Sequence, residues 1–433
     1  MIRPLKGFEN NFANPILQDN IFLSIKFSDS NTFHRVASNF LKIFSGLRLK
    51  IKDGHYYQKE EREIPIHPIP NWIQDCKLAN QYVFNNQMPS YKESLASISA
   101  NDKILVINSC HTLCDGGSMI SVLSKCLDDF TNEKPNEGAP IYFLDAFKDQ
   151  CEEAEIKFDK NNLWPMNKLT SCKYDTNDKH LAPPGTQLYE MNGCIPCEDL
   201  ACYNKATKKI HGLSDVINVG VSMSVLALNT VNNGIQYEYD NPLSMASIID
   251  VKRFGKPSKK INWNLGNCIA VPSIKADVSK SDTIDAISKK FRNYINTLKP
   301  FGAFYCASHV NELLAKQPPK SIVGCHSAIG PVKFKHPIID MDLKDGMKLT
   351  PGKGDHGELN GTLFEIISYS KINEYRNDLI YMANIWPSGM TLEKGRILFD
   401  SFTHFITKVP VTASFDDTLE ELIDFQKSIK RKY

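Results

Sequence analysis

Apolar and polar positions alternate along residues 20–27 as in a strand with one covered face. The polar run Asp29, Ser30, Asn31, Thr32 then supplies helix-start chemistry, and Phe33, Val36, Ala37, Phe40, Leu41 and Phe44 recur at helical spacing, with Gly46 as the expected stop. Residues 47–51, the turn Asp53–Gly54 and Tyr56–Tyr57 predict a hairpin. Pro65, Pro68 and Pro70 make residues 64–70 extended or irregular. Residues 95–98 and 104–107 read as neighbouring strands around the turn at Asn101–Asp102. Beyond the second of these come small and polar residues, then Gly116–Gly117. Met119, Ile120, Val122, Leu123, Cys126, Leu127 and Phe130 follow on one face of a predicted helix.

The pattern loosens over residues 132–209, a turn-rich passage with a crossover strand expected near 187–191. It tightens again at Ser214–Asp215, read as a helix cap before the aliphatic run 216–228, which Asn232–Asn233–Gly234 closes. Residues 242–251 contain a strand. Asp282 and Thr283 start a helix whose stripe is Ile284, Ile287, Phe291, Ile295 and Leu298. Residues 321–334 read as a strand broken at Gly330–Pro331, residues 363–369 and 379–386 as an antiparallel pair, and 393–406 and 419–430 as closing helices. The reading is α/β (α+β): one domain over residues 1–165, an irregular crossover over 166–209, and a second domain over 210–433.

Composition narrows the function classes. The 433 residues suffice for two cores, and 42% apolar with 23% charged content is ordinary for a globular protein. A net charge of +2 gives no global attraction to nucleic acid. No run of about 18 apolar residues predicts a transmembrane segment. The N-terminal MIRPLKGFENNF lacks a secretory apolar stretch, so a cytoplasmic protein with reduced thiols is expected. Among the twelve cysteines, Cys194 and Cys197 with nearby Cys202 hint at a metal, but no second pair completes a zinc set and none is expected. Cys110 and Cys114 are read as packing residues.

The chemistry concentrates at residues 104–130. His111 falls just past a strand and Asp115 just before a helix, where a rigid scaffold can present a base to a ligand. An imidazole with an unperturbed pKa of about 6.5 can take a proton from an alcohol or amine near neutral pH. Asp115, at a helix start beside Gly116, fits a structural role better than a titrating one.

The stretch HTLCDGG resembles the His-x-x-x-Asp-Gly signature of the chloramphenicol acetyltransferase-like superfamily. That group includes plant BAHD acyltransferases, fungal alcohol acetyltransferases and the condensation domains of nonribosomal peptide synthetases. The resemblance implies two similar domains, each a mixed, mostly antiparallel sheet flanked by helices, with a tunnel between them. It implies His111 as general base and Asp115 as a support paired with Arg253 or, failing that, Lys252, an exposed basic turn being the alternative. Gly266 and Asn267 resemble a segment that lines the tunnel. Ser327 resembles part of a late strand facing the histidine, and its hydroxyl is the candidate oxyanion donor. Lys259 and Lys260 are candidate contacts for CoA phosphates, or simply an exposed loop. The Asp-Phe-Gly-Trp-Gly signature of the plant branch is missing, Asp340, Asp342 and Gly346 being the nearest material, which turns the resemblance toward fungal alcohol acetyltransferase-like or more divergent members.

The expected function is acyl transfer, acetyl in the first instance, from acyl-CoA to a hydroxyl or amine of a small molecule, with no metal. Two rivals stand beside it: a condensation-like enzyme using a carrier-bound donor, and a silent binding protein of the same fold.

Overall fold

The computed structural model describes residues 1–7, 9–13, 17–60, 63–127, 138–173, 189–210, 212–255, 266–349, 362–385 and 390–430. The chain is mixed α/β, with sheets flanked by helices, and its contacts divide it into two units. The first comprises Met1–Asp149, Gly255–Cys268 and Lys333–Lys353; the second comprises Gln150–Phe254, Ile269–Val332 and Gly354–Tyr433. The units are therefore not the contiguous halves read from the sequence, because two segments of the second half return to the first unit.

In the first unit a five-stranded sheet runs in the order Ile338–Leu349, Leu17–Phe27, Ile104–Cys110, Ala96–Ala100, Ile66–Pro68. Every pairing is antiparallel except the last, and the Pro-rich stretch expected to be extended or irregular supplies that short parallel edge. Strand Ile104–Cys110 is central and all its residues are buried, which is why its first four positions read as a continuous apolar run. On one face Ile104 and Val106 pack with Phe22 against Ala79 and Val83 of helix Cys76–Asn86. The other face meets helix Ser30–Ile43, which in turn packs on helix Gly116–Cys126. Asp29 caps Ser30–Ile43 by accepting from Thr32 N, as the polar run predicts. That helix ends at Ile43, before Gly46, in a turn of 3-10 helix. The Leu49–Lys52 and His55–Gln58 hairpin turns through Asp53 and Gly54, both at positive φ (49° and 70°), the backbone that an Asp–Gly turn supplies.

The second unit holds a mixed sheet in the order Ile269–Ala270, Leu243–Asp250, Ser321–Lys333, Thr362–Ile372, Asn377–Ile385, Tyr189–Pro196. Helix Leu213–Asn233 packs against helices Ile284–Leu298, Leu392–Lys408 and Phe415–Lys430. By length and composition it could cross a membrane, but 72% of its apolar window is buried inside the protein, so its hydrophobicity is that of a core helix. Its cap differs from expectation. Gly212 (φ 66°) opens it, and Asp215 lies within the first turn, ion-paired to Arg292 at 2.6 Å. Strand Ser321–Lys333 also runs unbroken through Gly330–Pro331, because Gly330 takes a φ of 93° that only glycine accepts readily. The crossover strand is longer than predicted, pairing with Asn377–Ile385 through to Pro196.

Candidate active site

The motif strand hands directly into the turn that carries the histidine. His111 N donates to Asp19 O at 2.8 Å, so the backbone stays in sheet register up to His111. Cys110 N donates to Leu95 O at 2.7 Å and Leu113 N to Cys110 O at 3.0 Å, which curls the chain towards Asp115. The His111 side chain is half-buried and lies flat against Phe12, ring centroids 4.4 Å apart and planes 11° from parallel. Its Nδ1 is 2.7 Å from the amide nitrogen of Asn267, which also reaches His111 O at 3.4 Å. Among the described residues nothing hydrogen-bonds Nε2.

Asp115 is buried and caps helix Gly116–Cys126: Oδ1 accepts from Ser118 N at 2.7 Å. Its second oxygen accepts from Cys268 N at 3.2 Å. This bond ties the motif turn to the segment bearing Asn267, next to the contact between Asn267 and His111. Asp115 thus caps the helix at whose start the sequence places it, and backbone N–H groups meet both of its oxygens. Arg253, the cation first assigned to it, has its described contacts within the second unit, donating to Ile329 O at 2.7 Å and lying 3.7 Å from Asp250. Lys252 lies 3.8 Å from the same carboxylate.

Gly266 N donates to Ile141 O at 3.1 Å. A Cβ there would meet that oxygen at 3.5 Å, an ordinary contact, so the fold itself does not require glycine at this position. Lys259 and Lys260 lie outside the described residues. Ser327 is half-buried on its strand, opposite Ile248. The preceding residue, His326, is buried in the second unit's core with Nδ1 2.7 Å from Asn218 Oδ1 and Nε2 2.8 Å from Ser368 Oγ. Burial drives its pKa down to about 3, which leaves a neutral packing histidine and not a second base. The thiols flanking the motif are likewise packed. Burial pushes Cys110 up to about 11, its Sγ lying 2.9 Å from Thr112 Oγ1, and Cys114 contacts Ser109 Oγ at 3.3 Å.

Sequence reasoning misses three neighbours of His111. Phe12 belongs to the short helix Glu9–Phe12, seated by the paired Arg3 and Glu9, with Tyr56 donating to Glu9. Asp19 and Asp345 come from two strands of the sheet, and the charge of His111 is felt at the Asp345 carboxyl. The only sequence signal for Asp345 is an acidic residue in a polar strand, which is weak.

No family model matches the chain, and no curated relative matches it. The likeness to fungal or plant acyltransferases therefore rests on the motifs alone. Solved structures do match, over nearly the whole chain. A starter condensation domain of rhizomide synthetase, in complex with C8-CoA and Leu-SNAC, is 10% identical with a TM-score of 0.59, covering 95% of each chain. The first condensation domain of the calcium-dependent antibiotic synthetase is 11% identical with a TM-score of 0.58, over 96% of this chain and 98% of that one. Polyketide synthase associated protein 5 from Mycobacterium tuberculosis is 11% identical with a TM-score of 0.56, over 94% and 97%. The fold is accordingly the chloramphenicol acetyltransferase-like fold of these condensation domains.

Proposed function

We propose that this chain is an acyltransferase in which His111 serves as the general base and the acyl donor is a thioester on a phosphopantetheine arm, delivered by a carrier protein. The observation that carries the reading is the setting of His111: a half-buried imidazole at the end of a rigid central strand, braced on one face by Phe12, held at Nδ1 by Asn267, with Nε2 unengaged by any described residue. The acceptor hydroxyl or amine gives its proton to Nε2 as its heteroatom attacks the thioester carbon. The tetrahedral oxyanion then collapses, expelling the pantetheine thiolate, which recovers that proton from His111. No acyl-enzyme is needed, because the base acts on the acceptor directly.

Base action at Nε2 requires the proton on Nδ1. Asn267 offers its amide to that nitrogen, and its Oδ1 is buried without a partner among the described residues. Turning the amide presents that oxygen to Nδ1–H and leaves the Nε2 lone pair free. Ser327, whose hydroxyl no described residue engages, is proposed as the oxyanion donor, a role tested by a lower kcat in Ser327→Ala.

A carrier-bound donor replaces free acyl-CoA as the first choice because the full-length likeness is to condensation domains, which are parts of carrier-dependent synthetases. The rhizomide domain holding C8-CoA keeps free CoA as the second reading. Both share the pantetheine thioester, and the test separates them. Purified protein is given acetyl and octanoyl groups as CoA, N-acetylcysteamine and loaded carrier-protein thioesters, with a panel of amines and alcohols. The expected result is thiol release fastest from the carrier thioester and lost by about 10²–10⁴-fold in His111→Ala. Release from no thioester, or equal release by wild type and His111→Ala, defeats the reading.

A further inference from the structure

Two side chains from outside the motif touch the His111 ring, and both trace back to one guanidinium. Phe12 lies against the ring face, centroids 4.4 Å apart, and ends the short helix Glu9–Phe12. That helix begins at the buried Glu9, whose carboxylate accepts from Arg3 Nη1 and Nη2, both at 2.7 Å, from Lys6 N at 2.8 Å and from Tyr56 Oη at 3.2 Å. Asn267 meets the ring edge, 2.7 Å from Nδ1, and follows Gly266, whose N–H donates to Ile141 O at 3.1 Å. The carbonyl one residue earlier, Pro140 O, accepts from Arg3 Nη2 at 2.6 Å. Arg3 is itself seated by pairing with Tyr56, its guanidinium carbon 4.7 Å from that ring's centroid, and by Nη1 donating to Pro4 O at 3.0 Å. All of these residues belong to the first unit.

We propose that Arg3 is a positioning residue for His111: its fork holds the face contact through Glu9 and the edge contact through Pro140, and together these set where Nε2 points. The inference rests on the reading of His111 as a base. The stack on Phe12 fixes the plane of the imidazole, and the Asn267 amide selects the edge turned towards it. With both set, Nε2 keeps one direction. Misplacing a reacting group by about 1 Å can cost on the order of 10²-fold in rate. A planar cation with donors on two edges can serve the Glu9 carboxylate and the Pro140 carbonyl at once. A lysine ammonium in its place still neutralises Glu9 but does not span both acceptors. Lys6 joins the same two segments by its ion pair with Asp145 at 2.6 Å, but both partners are exposed, so that link is weak and does not replace Arg3.

The test compares wild type with Arg3→Lys, Arg3→Gln and Lys6→Ala at a temperature where calorimetry shows each to be folded. Should Arg3→Gln fail to fold, Arg3→Lys, which keeps a cation beside Glu9, carries the test. The ring-current displacement that Phe12 imposes on the His111 C–H proton signals, assigned by their loss in His111→Gln, is read by NMR and needs no turnover. It should collapse in Arg3→Gln, shrink in Arg3→Lys and persist in Lys6→Ala. With a thioester donor, Arg3→Lys should lose about 10–100-fold in kcat while KM changes by less than about twofold. Phe12→Ala should cost less in the Arg3→Lys background than in wild type, because the ring it removes is already displaced. His111 signals unmoved in the folded Arg3 variants overturn the proposal, as does full additivity with Phe12→Ala or a loss carried by KM alone. If the signals shift as expected but wild type consumes no thioester, the clamp stands and the acyltransferase reading falls. If turnover depends on His111 and the Arg3 variants keep both signals and rate, the clamp falls and the acyltransferase reading stands.

Discussion

Asp115 is the point at which the fold and the proposed chemistry can be pulled apart most cleanly. Its two oxygens accept from two backbone N–H groups, Ser118 N at 2.7 Å and Cys268 N at 3.2 Å. Asparagine is a good helix cap and keeps an oxygen for Ser118, but it turns an NH2 towards Cys268 N–H. Cys268 is fully buried, so that donor loses its acceptor, at a cost of about 1–3 kcal/mol. Alanine loses the cap as well, worth about 1 kcal/mol, for a total of roughly 2–4 kcal/mol. At about 2–4 °C per kcal/mol for a unit of this size, Asp115→Asn should melt roughly 2–12 °C lower and Asp115→Ala lower still. The second consequence is local. Cys268 follows Asn267, so loosening that amide frees the side chain that meets His111 Nδ1. The 15N signals of the His111 ring should then show mixed tautomers in Asp115→Asn, and kcat should fall with little change in KM. Calorimetry and the histidine spectrum together decide the matter. An Asp115→Asn variant melting within about 1 °C of wild type, with an unchanged His111 spectrum, would refute the reasoning, since no buried donor could then have been orphaned.

Phe12→Ala should lower kcat by about 2–10-fold, the loss of an aromatic stack worth roughly 0.5–1.5 kcal/mol, and Phe12→Tyr should restore it; steady-state kinetics checks both. His326 is held neutral, with its pKa pushed down to about 3 by burial, so its contribution to stability is complete above the unfolded value of about 6.5 and is lost as pH falls from there towards 3. Wild type should therefore lose its margin over His326→Gln between pH 7 and pH 4.5, and parallel melting curves over that range would count against it. Iodoacetamide at pH 8 should label exposed Cys194 before Cys110 or Cys306, which burial pushes up to about 11 and about 12; peptide mass spectrometry reads the order.

Much of the fold is legible because its signals are local. The helix Ile284–Leu298 shows its stripe and its Thr283 cap in consecutive residues, and the hairpin at Asp53–Gly54 shows its turn in two. The helix Cys76–Asn86 is less visible: its apolar positions are few, with Ala79 and Val83 carrying the contact, and Asn80 is used to bind Asp342 across 262 residues. Strand Ile338–Leu349 is hidden for a similar reason. Its charged residues Asp342, Lys344 and Asp345 break any apolar alternation, so no strand pattern marks the segment where the structure has an eleven-rung ladder with Leu17–Phe27.

The same contrast explains why the motif is legible and much of its setting is not. His111 and Asp115 lie on one strand–turn–helix unit, so four residues suffice to expose them. Groups around His111 arrive from elsewhere: Asn267 across 156 residues, and Asp345 on a strand from the far end of the chain. Both ride on segments that leave the second half of the sequence to complete the first unit. A local reading can name a candidate base, but the group that meets its Nδ1 belongs to a returning loop. Arg253, suggested by motif order as a partner for Asp115, has its described contacts at Asp250 and Ile329 O, while the backbone of the returning segment donates to Asp115 at Cys268 N. Substitutions in 266–268 should therefore change His111 more than substitutions at Arg253 do, although the resemblance marks both segments.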